Sequence, residues 1–274
     1  LSRFNRQYSL VITLLNGQTI EILPDIRVVF EAQKSINMGL NTCKIQIYNL
    51  KSVNRENLVK DKEDNEKMPF ILSIGYDTQV KRIFEGNVLE AKTERKGMDF
   101  ITTIESQDGG FDYKNSYTSK VVKSNDIDAI LKDMENTQKG KISKKLVYSR
   151  PKVLIGNSAK LIEDCLDEDE TMFIDNNTLH IIKKDEVISD YIPVVSSDSG
   201  LLNSPTRSNQ QVNFETLMNP ELSVGGLMEL VSLYAVHLNG VYKIESIKYK
   251  GDNYGTDWSM EVVCMEAKDY KVLK

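Results

Sequence analysis

Few side chains in this 274-residue chain stand where they can do chemistry. There are two histidines, His180 and His237, and neither has cysteine or histidine neighbours at the spacing of a zinc site. His180 lies between Leu179 and Ile181 in an alternating run. It is therefore expected on the opposite face, in a structural or surface role, as is His237 beside an Asn-Gly pair. Cys43, Cys165 and Cys264 are odd in number, far apart and set among apolar neighbours, which predicts reduced, buried thiols and no disulfide framework. The run from Glu163 to Glu170 is the densest in carboxylates. It lacks the Asp-x-Asp-x-Asp-Gly spacing that wraps a calcium ion, so it reads as a solvated helix end or a face for a basic partner. No Gly-x-Ser-x-Gly elbow, P-loop or dinucleotide fingerprint occurs, and no carboxylate pair is marked for glycoside cleavage. The expectation is a protein that is not an enzyme, with no catalytic residue, no cofactor and no metal.

The elements that carry these residues follow from composition and periodicity. The length predicts two or three domains, and 40% apolar residues suffice for real cores. A net charge of −5 argues against gripping nucleic acid by its phosphates. No apolar run approaches the roughly 20 residues of a membrane helix, so no membrane anchor is expected. No secretory signal is expected, and the opening at Leu1 reads as a trimmed start.

Residues 1–110 read as β throughout. Tyr8, Leu10, Ile12 and Leu14 alternate with polar or outward residues, Asn16-Gly17 turns the chain, and Ile20 and Ile22 answer on the return. A third strand is expected from Asp25, and Cys43, Ile45 and Ile47 mark a fourth. Ser52 is placed as the cap of a short helix anchored by Leu58, and Lys60 to Lys67 as a charged loop. Arg82 to Arg95 is long for one strand, and its apolar phase slips near Val88, which predicts a bulge. A strand from Met98 ends at Asp108-Gly109-Gly110. Residues 111–195 change character. Ile127, Ile130, Leu131 and Met134 fall on one helix face behind Ser124, and Asn157 or Ser158 caps a second helix carrying Leu161, Ile162, Cys165 and Leu166. A hairpin is expected about Asn176-Asn177, and Asn136 to Lys145 is read as a loop. In residues 196–274, Trp258, Met260, Val262 and Cys264 line one strand face. A phase switch near Glu245 predicts a second bulge, and Asn239-Gly240 reads as a tight hairpin turn.

The order of these signals carries a resemblance. Leu217-x-x-Pro220-x-Leu222-x-x-Gly225, Leu238-Asn239-Gly240-x-Tyr242, and the Gly251-Asp252 turn before Trp258 are similar to the C-terminal barrel of phage baseplate hub proteins, the late control protein D group. Type VI secretion spike proteins share that fold. Asn49 before a short helix, Gly75 closing a strand, Gly86 opening the next, and Asp108-Gly109 ending the unit resemble the N-terminal barrel of the same family.

The resemblance implies two tube-like β-barrels, 1–110 and 196–274, separated by a small α+β module at 111–195, in a mainly β fold. It implies the structural hub of a tail baseplate: a homotrimer joining a six-fold tail tube to a three-fold central spike in a virion or tail-like particle, assembled in the host cytoplasm. The partners implied are the tail tube protein, the central spike protein and a baseplate wedge or tape-measure protein. No specific nucleic-acid binding is implied, and the lumen is open to the passage of DNA where the particle carries a genome. Two alternatives stay open. One is a distal tail hub of a non-contractile phage. The other is a cell-wall glycan-binding or wall-degrading module, which calls for an exposed aromatic platform among Tyr113, Tyr117 and Tyr148.

Overall fold

The computed structural model describes residues 5–37, 39–122, 127–143, 150–267 and 270–273. The expected cap Ser124 and Tyr148 lie outside these residues. The first part of the chain contributes β1 (Arg6–Thr13), β2 (Thr19–Ile22), β3 (Val28–Ser35), β4 (Thr42–Tyr48), α1 (Ser52–Asn57), β5 (Pro69–Tyr76), β6 (Gln79–Lys96) and β7 (Asp99–Gln107). The middle holds α2 (Gly110–Asn115), β8 (Tyr117–Val122), α3 (Ile127–Leu131), β9 (Gln138–Ile142), β10 (Lys152–Asn157), α4 (Ser158–Glu163), β11 (Glu170–Asp175), β12 (Thr178–Lys183) and β13 (Glu186–Val187). Then come β14 (Val194–Ser196), β15 (Thr206–Ser208), β16 (Gln211–Leu217), β17 (Leu227–Val231), a 3₁₀ turn at Val236–Leu238, β18 (Gly240–Asp252), β19 (Trp258–Glu266) and β20 (Lys271–Val272).

The fold is mainly β, and its strands are half-buried in the way period-two alternation dictates. Tyr8, Leu10 and Ile12 on β1, Cys43, Ile45 and Ile47 on β4, and Trp258, Met260, Val262 and Cys264 on β19 are all buried. Each fully buried large apolar side chain contributes about 1.5–3 kcal/mol, which sets the register of every strand.

The first and last parts of the chain share one sheet. Its main path runs β15-β16-β19-β18-β3-β4-β7-β6-β5-β1-β2, with β17 and β14 branching from β18. The seam is the antiparallel pairing of β18 with β3, Ser246 opposite Ser35 through Asp252 opposite Val29. Among the described residues this path does not close on itself, whereas two separate closed barrels were expected. The reason lies in β3: its outer edge is taken by β18 from the other end of the chain, so the first strands do not close on one another.

Three bulges explain how long strands serve several neighbours. On β18, Glu245 is the extra residue between Ile244 and Ser246. Before it, β18 pairs with β17, and after it with β3, while β19 follows the other edge. The bulge turns Tyr242 and Ile244, and then Ile247 and Tyr249, into the interior, as the phase switch in the sequence anticipates. On β6, Leu89 is extra between Val88 and Glu90, and a second bulge that the pattern does not announce leaves Ile83 extra against β5.

The middle carries its own core, with Ile130, Met134, Leu154, Ile162, Leu179 and Ile181 all buried. Asn157 is the N-cap of α4, its side chain accepting from the Lys160 amide at 3.0 Å. Several local expectations are corrected. β3 begins at Val28, because Asp25 sits in the preceding turn. Lys51 occupies the N-cap of α1 without a side-chain hydrogen bond, and Ser52 is its first helical residue. Met98 is in a fully exposed turn ahead of β7. Within the segment read as a loop, β9 pairs in parallel with β12. It has no alternation to reveal it, because its face is filled by contact with β12 and α3. Gly140 sits against the His180 ring, where an added Cβ would come within 2.5 Å.

Candidate functional site: a buried polar junction

The hairpin β11–β12 turns through Asn176 and Asn177, both in left-handed backbone at φ 52° and 57°. Their amides both donate to the Asp108 carboxylate, at 2.6 and 2.7 Å. Asp108 directly follows β7 and is completely buried. Next to it Gly109 has φ +65°, and a Cβ there would lie 2.7 Å from Ile174, so both the conformation and the space call for glycine. Asn41 donates to Asp108 at 3.3 Å and to the Ile174 carbonyl at 2.7 Å. From β3, the buried Lys34 reaches the same turn, 2.5 Å from Asp175 and 3.0 Å from the Asn176 side-chain oxygen. From β6, Glu85 accepts from Asn177 at 3.0 Å. One half-buried turn, met by the buried Asp108, Lys34 and Asn41, thus locks the middle segment onto three strands of the large sheet.

Burial drives the Asp108 pKa up to about 7. The charge of Lys34 opposes that rise, Asp175 adds to it, and the Asn177 and Asn176 amides oppose it. A carboxyl whose folded pKa lies above its unfolded value keeps a proton that the unfolded chain has already released. Its contribution to stability is therefore full below about pH 4 and is lost as the pH rises to about 7. Urea melts from pH 4 to 8 are expected to show stability falling across that window relative to Asp108→Asn, whose own profile lacks the slope. Parallel profiles for the two proteins would show that Asp108 ionises normally.

The other motif positions are also architectural. Asn49, at φ 52°, donates to Asp99 at 2.8 Å and accepts from the Phe100 amide at 3.0 Å, pinning the end of β4 to the start of β7. At Gly75 a Cβ would fall 1.8 Å from the Gln79 carbonyl oxygen, and at Gly86 2.4 Å from that of Gln107. Pro220 follows the end of β16. Gly225, at φ +76°, donates to the Ile244 carbonyl and accepts from the Ile188 amide. Asn239 and Gly240 do not form the tight turn. Residues 232–239 make the connection, and Asn239 binds across its base, accepting from the Ser232 amide at 2.7 Å. Gly251 lies against Phe30. Asp252 accepts from Arg27 at 2.7 Å and from the Tyr254 and Gly255 amides, so it holds the turn into β19. Burial alone raises its pKa, but these donors outweigh burial and hold it below the usual value. Trp258 packs edge-on against Phe30 at 5.7 Å.

The residues first considered for chemistry are separate from one another. His180 stacks on Phe173, accepts from the Lys141 amide, and has its pKa lowered by burial. Burial pushes the Cys43 and Cys264 thiols up, which leaves them unreactive. Tyr113 donates to Glu163 beside a hollow of about 410 Å³, and Glu170 there accepts from the Asp167 amide. Among the described residues no group of three His, Cys, Asp or Glu side chains is placed to hold a metal, and no helix is long and apolar enough to cross a membrane.

With the geometry in hand, the family decides the reading. The model of the family Baseplate hub gp41 matches residues 9–264. The chain belongs to that family. This baseplate hub protein is a structural component of the phage tail. Its fold is similar to the 43 kDa tail protein of prophage MuSo2 from Shewanella oneidensis, with a TM-score of 0.63 at 8% identity over 94% of this chain and 97% of that one. It is also similar to a tail protein from Neisseria meningitidis MC58, with a TM-score of 0.61 at 9% identity over 96% and 98%. A third likeness is to the E. coli c3393 protein, a type VI secretion component described as similar to T4 tail proteins gp27 and gp5. There the TM-score is 0.59 at 7% identity over 90% and 76%. A comparison with the curated proteins finds no match. At such low identities the hub shares with these structures a backbone path and little side-chain chemistry. The signals legible in its sequence are accordingly turns, glycines and alternation. Sequence reading placed Asp108 at the end of a unit, but not in contact with Asn176 and Asn177. Lys34 and Asn41 carried no signal at all.

Proposed function

We propose that this hub forms a trimeric ring that joins the six-fold tail tube to the three-fold central spike. The observation that carries the reading is the match to the Baseplate hub gp41 family over nearly the whole chain. The seam between β3 and β18 supports it, because it fixes the first and last parts of each chain rigidly to one another. In this reading residues 1–110 and 196–274 act as two barrel-like units per copy, with 111–195 between them, and three copies present six similar units around one axis. Pseudo-repeats of this kind let a three-fold ring meet a six-fold one. The ring serves by shape and carries no catalysis. Its partners are the tube and spike proteins, with a wedge or tape-measure protein alongside, and assembly takes place in the host cytoplasm.

Light scattering across a concentration series tests this. The expected result is a mass of three chains, or one chain rising to three. A single-chain mass at all concentrations, also in the presence of purified tube and spike proteins, overturns the ring.

A further inference from the structure

The middle segment leaves one strand edge open along a hollow. Strand β11 is the outer member of the sheet β11-β12-β9. Phe173 packs into the core of the large sheet, and Ile174 into the core of the middle segment. Both faces of β11 are therefore covered, and only its edge is free. The two-residue turn at Asn176-Asn177 makes Asp175 and Thr178 a hydrogen-bonded pair, so bonding to β12 falls on every second residue, Phe173 and Thr171. The residues between them turn their N–H and C=O groups outward. Two of these groups are met: the Ile174 carbonyl accepts from Asn41, and the Glu170 amide donates to the Asp167 carbonyl. Among the described residues nothing bonds the Met172 amide or carbonyl. No proline, lysine or bulge guards this edge, although exposed strands are usually protected in one of these ways.

The hollow beside it, of about 410 Å³, lies between β11, the β3–β4 turn and the end of α4. Leu40, Tyr113, Leu166 and Met172 give it half-buried apolar walls. Two carboxylates, Glu163 and Glu170, also line it, and Tyr113 donates to Glu163. The lining segments 36–40 and 163–174 hold six carboxylates and no lysine or arginine, which sets the sign of the charge that fits. Unpaired main-chain groups on a walled edge are complementary to extended main chain. The apolar walls suit alternate side chains of such a strand, and the carboxylates suit a cation.

We propose that an extended segment of a partner protein, with a lysine or arginine flanked by apolar residues, adds to the free edge of β11 as a fourth strand. Main-chain hydrogen bonds to Met172 supply affinity, and the walls and carboxylates supply specificity. The added strand lies between β11 and the β3–β4 turn, so it ties the middle segment to the large sheet. The inference goes beyond the ring reading and holds whether or not the ring forms.

The full chain with isotope-labelled methionine methyl groups reports on the site directly, because Met172 lines it. The Met172 signal is assigned by its loss in Met172→Leu. The probe is the peptide acetyl-Thr-Val-Arg-Val-Thr-amide. The expected result is a saturable shift of the Met172 signal with a Kd below about 1 mM. Citrulline in place of the arginine keeps the shape and removes the charge, and it should weaken binding about tenfold, as should Glu163→Gln/Glu170→Gln. Added salt should weaken binding too. Alternate amides of a strand face opposite edges, so N-methylation of the arginine and N-methylation of both valines block different edges. One of the two is expected to weaken binding about tenfold and the other much less. No Met172 shift at millimolar peptide overturns the docking. Equal affinity for the citrulline peptide overturns the cationic partner. Equal affinity for the parent and both N-methyl peptides overturns strand addition. A shift that follows protein concentration with no peptide present identifies a second copy as the occupant and also overturns the proposal. None of these outcomes depends on the mass of the assembly, so the ring is judged separately by light scattering.

Discussion

Asp175→Ala is expected to destabilise the hub by about 3 kcal/mol, because it strands Lys34 as a buried charge without its partner. Lys34 is 3% exposed and lies 2.5 Å from Asp175. Removing one member of a buried pair leaves the full desolvation penalty of the other, whereas removing both with apolar replacements leaves little. Lys34→Met/Asp175→Leu is therefore expected to be more stable than either single variant. Urea unfolding of the four proteins of the cycle measures this, with a coupling of at least about 1 kcal/mol expected for residues in direct contact. A further sign is specific to this junction. The charge of Asp175 helps to raise the Asp108 pKa, so Asp108 should titrate lower in Asp175→Ala than in the parent. Additive single effects, or an unmoved Asp108, would mean that the pair is more hydrated than its burial implies.

Gly251→Val is the second large effect expected, and it acts on the seam of the sheet. Gly251 faces Phe30 across the β18–β3 pairing, and a Cβ there would lie 2.3 Å from the Phe30 ring. Phe30 is 3% exposed and packs edge-on against Trp258, so it has nowhere to swing. Overpacking of this kind costs about 3 kcal/mol, or roughly 6–12 °C in thermal midpoint for a chain of this size. The strain is steric and has one named contact. Phe30→Leu in the Gly251→Val background is therefore expected to recover part of the loss, although Phe30→Leu alone destabilises. If the double variant is as unstable as the sum of the singles, the ring contact is not the cause. The effect should reach function, because β18 and β3 are the direct hydrogen-bonded join between the two ends of the chain.

Sequence alone determined the strands that bury one face, because alternation is a local property of the chain. It also marked two of the places where that alternation breaks, near Val88 and Glu245, because a bulge there shows as a slip of phase, whereas the bulge at Ile83 left no such slip. It marked the Asn176-Asn177 hairpin and a cap at Asn157 or Ser158, of which Asn157 takes the role, and the ordered signals from Asn49 to Trp258 carried the likeness to baseplate hubs. The tertiary structure decided what these pieces touch. β9 was unreadable because its contacts come from β12 and α3 and not from an apolar pattern of its own. The Asn239-Gly240 pair looked like a tight turn because the pair permits one, but the anchoring of Ala235 and Leu238 in the core opened it into an eight-residue finger. Lys34 and Asn41 carried no signal and Asp108 read only as the end of a unit, yet they converge with Asp175 and Asn176 on one half-buried turn. Nor was the joining of both chain ends in one sheet legible. It depends on which strand occupies the free edge of β3, and a choice between edges far apart in sequence is made by packing, not by any local preference.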